Sequence, residues 1–225
     1  MTEFSRTHIV AIANQKGGVG KTTLTTQLAA VLSRRFRVLV VDVNPQRSTV
    51  WWAENARDRL PFDFAGYQSP AALAQLPELT AECDFVLVDT PGGVEATPLL
   101  ETVLDAVDYV MVPMTPERLA VEPTARTVSR LIEPRRVRYG VLLNRIDPSI
   151  PTQLRTFQEL LDTTLGLARF EAHLRKYQAY AEAPVLGQLV TATPPTGRTA
   201  GYIADLTRVG YELSDQFSPA LAGVW

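Results

Sequence analysis

Between the apolar run HIVAIA (8–13) and the helical pattern TTLTTQLAAVLSRR (22–35), the chain carries QKGGVGKTT over 15–23. A strand, a glycine-rich turn and a helix opening on Lys-Thr-Thr is the setting in which backbone wraps phosphate oxygens. Gly17, Gly18 and Gly20 let N–H groups approach an anion, and the N-terminus of the following helix adds the positive end of its dipole. Lys21 then neutralises phosphate charge and the Thr22 hydroxyl suits Mg2+. The nucleotide-contacting stretch is therefore expected to run through Lys16, Gly17, Gly18, Val19, Gly20, Lys21, Thr22 and Thr23. One lysine is enough to grip a phosphate, so the second, Lys16, asks for its own explanation.

The rest of the chain has a matching rhythm. Apolar runs at 37–43, 62–67, 84–90, 109–114 and 138–145 alternate with helical patterns at 116–132, 151–165 and 199–216. Strand runs that are apolar throughout, separated by helices, predict a mostly parallel sheet covered on both faces. The expected class is α/β, a P-loop NTPase fold with a mostly parallel central sheet flanked by helices on both faces. A length of 225 residues with 46% hydrophobic content suits one core. We expect a single domain over 1–225, with 215–225 as a tail.

Composition narrows the functional classes. There is no charged-then-apolar leader and no apolar run of the ~20 residues a membrane span needs, which predicts a cytoplasmic protein. The lone cysteine, Cys83, can form neither an internal disulfide nor a cysteine-based cluster. A net charge of −2 excludes a globally basic coat, so any nucleic-acid contact must be a local patch. Of 22 basic residues only Lys16, Lys21 and Lys176 are lysine. Two of the three lie in the loop, where a compact ammonium serves better than a planar guanidinium.

The common phosphate-loop pattern has glycine at the position of Gln15. KGGVGKTT instead resembles the deviant Walker A loop of the ParA/MinD ATPases, and the similarity continues in order along the chain. VLVVDVNPQRSTVWWAE is similar to the switch I segment, FVLVDTPGG to the Walker B strand and switch II, GVLLNR to the strand whose asparagine reads adenine, and AEAPVLGQLV to a C-terminal E-A-P segment. The resemblance implies ATP as the nucleotide, Mg2+ as its ion, and a homodimer that sandwiches two nucleotides. It also gives Lys16 a purpose: reaching the phosphates bound by the other subunit, where two facing triphosphates repel unless cations stand between them.

Catalytic positions implied on the same basis are Lys16, Lys21, Asp42 and Asn44. Metal positions are Thr22, Asp89 and Asp42, the last through a coordinated water. Gly92, with Gly93, frees the switch II backbone to follow the γ-phosphate, and Asn144 has the donor and acceptor that an adenine edge needs. The family's second switch I residue is an aspartate that polarises the attacking water, and here it is Asn44. An amide can bond water but lacks the charge to favour its deprotonation. Slow hydrolysis and a long-lived ATP dimer are expected. Arg47 is placed to touch phosphate or partner, and Trp51 and Trp52 to pack or meet the other subunit.

The resemblance implies non-specific DNA as a ligand, with Arg175, Lys176, Arg198 and Arg208 as the contact set. A second arginine-rich stretch lies at 126–155. Such contacts give salt-sensitive, sequence-blind affinity. Residues 1–7 leave no room for an N-terminal helix-turn-helix, which predicts the compact, ParF-like form. A ParB-like or centromere-binding adaptor is the implied partner, the nucleoid the implied location, and plasmid or chromosome segregation the implied job. The tail YELSDQFSPALAGVW has no Lys or Arg, so membrane targeting is not expected. Three other readings stay open: an ATP-locked module that does not hydrolyse, positioning of a non-DNA cargo, and a metabolic ATP-dependent ligase or kinase of the same superfamily.

Overall fold

The computed structural model describes residues 6–44, 52, 54, 56, 60–66, 82–177, 189 and 200–217. Six strands form one sheet: β1 (His8–Ile12), β2 (Val38–Asp42), β3 (Asp63–Gly66), β4 (Phe85–Asp89), β5 (Tyr109–Met114) and β6 (Arg138–Leu143). Their order is β3-β2-β4-β1-β5-β6 and every pairing is parallel. Each lies within a run read as a strand from the sequence. All residues of β1, β4 and β5 are buried, because helices cover both faces and leave no side for polar residues.

Alternate residues of β1 feed different cores. Val10 and Ile12 pack with Leu24, Leu28 and Val31 of α1 (Lys21–Leu32). Ile9 and Ala11 pack on the other face with Leu100, Val103 and Leu104 of α2 (Thr97–Leu104) and Ala120 of α3 (Arg118–Thr127). The flank of that second core is made by α4 (Gln153–Glu159), with Leu154 and Phe157 half-buried against it. On the first face α5 (Ala200–Asp215) adds Leu206, Val209 and Leu213 beside α1.

Three local features depart from the sequence reading. The helix expected over 116–132 begins at Arg118 and passes at Val128 into a wider π turn ending at Ile132; Pro123 inside it lacks the N–H of an ordinary helical residue. The helix over 151–165 likewise passes at Leu160 into a π turn, closed by Gly166 at φ 62°. Beyond β6, Arg169 and Arg175 bridge Val141 and Ile146 in parallel, extending the sheet with a charged stretch that shows no strand pattern. Trp52 is buried against Ala56 and Tyr202, so it packs.

His8 stacks on Phe217 at 4.3 Å and stands 5.7 Å from Phe85. Burial lowers its pKa, with Arg6 and Arg138 helping and Asp108 and Asp84 opposing. A folded value below the unfolded one of about 6.5 gives stability that is complete above that pH and lost as pH falls through the lowered value. Thermal unfolding followed by circular dichroism should show Tm falling from about pH 7 to about pH 5, and a smaller fall in His8→Phe. An equal fall in the variant would assign the loss to other groups.

Candidate nucleotide site

The C-terminal ends of β1, β2 and β4 lie side by side, and the phosphate loop leaves from the first of them. Asp42 and Asp89 are register partners there, 2% and 0% exposed. Thr22, on the first turn of α1, donates its hydroxyl to Asp89 Oδ2 at 2.7 Å. Asp42 Oδ1 accepts the Asn44 N–H at 2.8 Å. Strand pairing thus sets both carboxylates under the loop, and the helix start brings a hydroxyl to one of them.

The loop itself is tied down from behind. The Asn14 side chain accepts the Lys16 N–H (2.9 Å) through Oδ1 and donates through Nδ2 to the Pro113 carbonyl and Thr124 Oγ1 (both 2.9 Å). The Gln15 carbonyl accepts the Gly93 N–H (2.8 Å), while its side chain donates to Thr97 Oγ1 (2.9 Å) and accepts from Arg126 Nε (3.4 Å). The departure from glycine at position 15 therefore has a structural use: the Gln15 side chain ties the loop to α2 and α3, while its main-chain carbonyl holds Gly93. The sequence carried no signal for these bonds beyond the departure itself.

Lys21 is 8% exposed and donates through Nζ to the carbonyls of Asn14 (3.0 Å) and Lys16 (3.3 Å). Burial lowers its pKa and the nearby Asp89 works against that. Asn144 Nδ2 donates to the Val19 carbonyl at 2.8 Å, so the residue read as an adenine contact also braces the loop.

A cleft of ≈ 400 Å³ opens above these groups. It is lined by Gly17, Gly18, Gly20, Lys21, Thr22, Thr23, Asn44, Gly92, Gly93, Glu95 and Arg145. Eight of the expected nucleotide and catalytic positions line it, Asn44 among them, whereas Val19 is buried beneath and Lys16, Asp42 and Asn144 are not part of the lining. Glu95 and Arg145 were not anticipated. Arg145 follows Asn144 with φ 63°, a backbone conformation that side-chain-bearing residues rarely adopt.

The donor set suits a hard divalent cation. Thr22 and Asp89 place two oxygens together, with the Asp42 carboxylate one strand away. Among the described residues no cluster of three or more His, Cys, Asp or Glu forms, so the remaining ligands of such an ion would be phosphate oxygens and water, as Mg2+ favours.

The expected DNA set is not gathered in the same way. The Arg175 guanidinium bonds Asp205 at 2.8 Å and the Gly201 carbonyl at 3.2 Å. Arg208 lies 3.7 Å from Asp205 and Lys176 3.8 Å from Asp147, and both side chains are largely exposed. Arg175 is thus held within the fold, and Arg208 and Lys176 face solvent. Arg198, Arg47, Trp51 and all but Leu189 of the segment from Ala181 to Val190 lie outside the described residues. In the second stretch, Arg126, Arg135 and Arg155 pair with carboxylates. Among the described residues no helix is long and apolar enough to cross a membrane.

A glycine-rich loop opening a helix at the C-terminal edge of a parallel sheet, over a Thr–Asp pair and a buried lysine, defines a nucleotide-binding protein of the P-loop class. The chain belongs to the ParA/MinD family of ATPases: the model of the CobQ/CobB/MinD/ParA nucleotide binding domain matches residues 10–190. It is 38% identical to the Maintenance of carboxysome distribution protein A of Gloeobacter kilaueensis, over 80% of this chain and 82% of that protein. The Chromosome-partitioning ATPase Soj of Thermus thermophilus is 29% identical over 83% of this chain and 88% of its own length. The fold is also similar to that of an ATP complex of a Cyanothece McdA variant, with a TM-score of 0.73, 17% identity, and 94% and 98% of the two chains covered.

Proposed function

We propose that this chain is an ATP-dependent positioning switch: ATP with Mg2+ drives a sandwich dimer, the dimer binds non-specific DNA, and partner-stimulated hydrolysis releases it. The observation that carries the reading is the pairing of the two loop lysines. Lys21 Nζ folds onto the Lys16 carbonyl at the root of the cleft, while the Lys16 side chain is left outside the lining and so is available to reach a second nucleotide. In this account Lys21 holds the β- and γ-phosphates, Thr22, Asp89 and Asp42 hold the ion, and Gly92 reports the γ-phosphate to switch II. Asn144 meets the adenine with its carbonyl end. Asn44, lacking a charge, makes hydrolysis slow.

The Gloeobacter relative supports a cargo that is a large protein assembly rather than DNA. The Soj relative supports the second reading, segregation of DNA through a ParB-like or centromere-binding adaptor. In either case the surface travelled is nucleoid DNA, and Lys176 and Arg208 are the exposed candidates to touch its phosphates. The location is then cytoplasmic and nucleoid-associated.

The test is binding to a random-sequence duplex at moderate salt with ATP, ADP or no nucleotide, beside Lys16→Ala. ATP alone is expected to confer binding, and Lys16→Ala to remove both binding and the ATP-dependent dimer seen by light scattering. DNA affinity independent of nucleotide would sink the switch and favour a metabolic ATPase.

A further inference from the structure

We propose that Glu95 is the carboxylate that holds and deprotonates the attacking water, the task for which Asn44 lacks the charge. This rests on the reading of the chain as an ATP-hydrolysing switch. Asn44 and Glu95 line one cleft with Lys21, Thr22 and Gly92, and Glu95 is the only acidic residue among its described lining residues. Asp42 and Asp89 are buried behind it at the strand ends, one accepting the Asn44 N–H and the other the Thr22 hydroxyl. They are committed to the floor of the site, and Glu95 faces its space.

The exposed Glu95 side chain lays its carboxylate against the Gly93 backbone. A Cβ built on Gly93 would lie 2.9 Å from Glu95 Oε2 and nearer still to Oε1. Gly93 has φ 100°, a conformation that favours a residue without a side chain, and it leaves room for the Glu95 carboxylate to lie against the backbone. The Gly93 N–H is bonded to the Gln15 carbonyl at 2.8 Å, which anchors this stretch of switch II to the phosphate loop. One residue earlier, a Cβ on Gly92 would stand 2.9 Å from Lys21 Nζ. Two consecutive glycines thus carry, on one wall of the cleft, the ammonium that meets the phosphate and the carboxylate that can take a proton. Among the described residues none forms a hydrogen bond or ion pair with that carboxylate.

The step balances with water alone as nucleophile. The water oxygen forms a bond to the γ-phosphorus as one of its O–H bonds breaks. The bond from the γ-phosphorus to the β–γ bridging oxygen breaks with its electron pair left on ADP. The proton passes to Glu95 and from it to solvent.

Single-turnover phosphate release by the full chain with Mg2+ and labelled ATP, beside calorimetric titration with ATP, tests this. Glu95→Gln is expected to slow release at least about 100-fold, the lower side of what a general base contributes, with the Kd for ATP within about threefold of the parent. Asn44→Asp in the Glu95→Gln background is expected to restore release. Undiminished release in Glu95→Gln overturns the proposal. Tighter ATP binding with undiminished release does so too, and makes Glu95 a charge opposing phosphate entry. A parent that binds ATP but releases no phosphate overturns the Glu95 role and leaves an ATP-locked switch. A parent that binds no ATP overturns the role and the switch together.

Discussion

Replacing Lys21 with Met is expected to weaken ATP and ADP binding at least about 100-fold in a calorimetric titration, while the Tm of the nucleotide-free protein stays level or rises. Truncating one partner of a buried charge pair costs about 2–5 kcal/mol, and each 1.4 kcal/mol is a factor of about 10 in Kd. Without nucleotide the balance differs. Lys21 is buried and its ammonium is opposed by desolvation. Its compensation is two carbonyls, at 3.0 and 3.3 Å, and the charge of Asp89. Hydrogen bonds to a charged group contribute about 1.5–3 kcal/mol each, against a desolvation penalty of several kcal/mol, so removing the whole group is near neutral. A variant that binds ATP normally would show that the cleft takes no phosphate at Lys21. A Tm drop above about 5 °C would show that the lysine is a structural tie of the loop.

Gly20→Ala is expected to destabilise the fold by about 2–5 kcal/mol and to remove nucleotide-induced stabilisation. Gly20 stands at φ 89°, and left-handed backbone costs an L-residue about 1–2 kcal/mol. Its added Cβ would also lie 2.7 Å from Asn144 Nδ2, the atom that donates to the Val19 carbonyl. Pushing that amide aside leaves buried polar groups unmatched, at about 1–3 kcal/mol. Gly18 supplies the control, because it shares the left-handed backbone at φ 76° while a Cβ there meets nothing within 4 Å. Urea unfolding of both variants separates the effects: comparable loss in Gly18→Ala and Gly20→Ala would mean that the Asn144 brace contributes nothing.

Much of this architecture could be read in advance because its causes are local. A buried parallel strand must be apolar at successive positions, and five of the six strands were visible as such runs, the exception being the half-exposed edge strand β3, read from the short run at 62–67. The loop was legible because wrapping a phosphate requires glycines next to a helix start, and residues 15–23 contain them. The eight-residue α2 escaped as a separate segment because three buried positions, Leu100, Val103 and Leu104, are too few for a period to stand out. The bridges of Arg169 and Arg175 escaped because their neighbours in sequence alternate charge without an apolar run.

The side-chain partnerships belong to a different category. Nothing near Arg175 in sequence announces Asp205, thirty residues on, whose carboxylate holds its guanidinium. Nothing near Glu95 distinguishes it from other surface glutamates until its carboxylate is found over Gly93 at the wall of the cleft.

Sequence alone determined the fold class, the glycine-rich loop and its two lysines, since each depends on residue type and short spacing; Asn44 in place of a charge is read only from the family resemblance. Only the tertiary structure decided that Gln15 ties the loop to switch II, that Asn144 supports Val19, that Arg175 is engaged within the fold, and that Glu95 shares the cleft with Asn44. Those outcomes depend on which strand ends and helix starts meet, and pairings such as Asp42 with Asp89 are made by sheet register across 47 positions of chain rather than by neighbours.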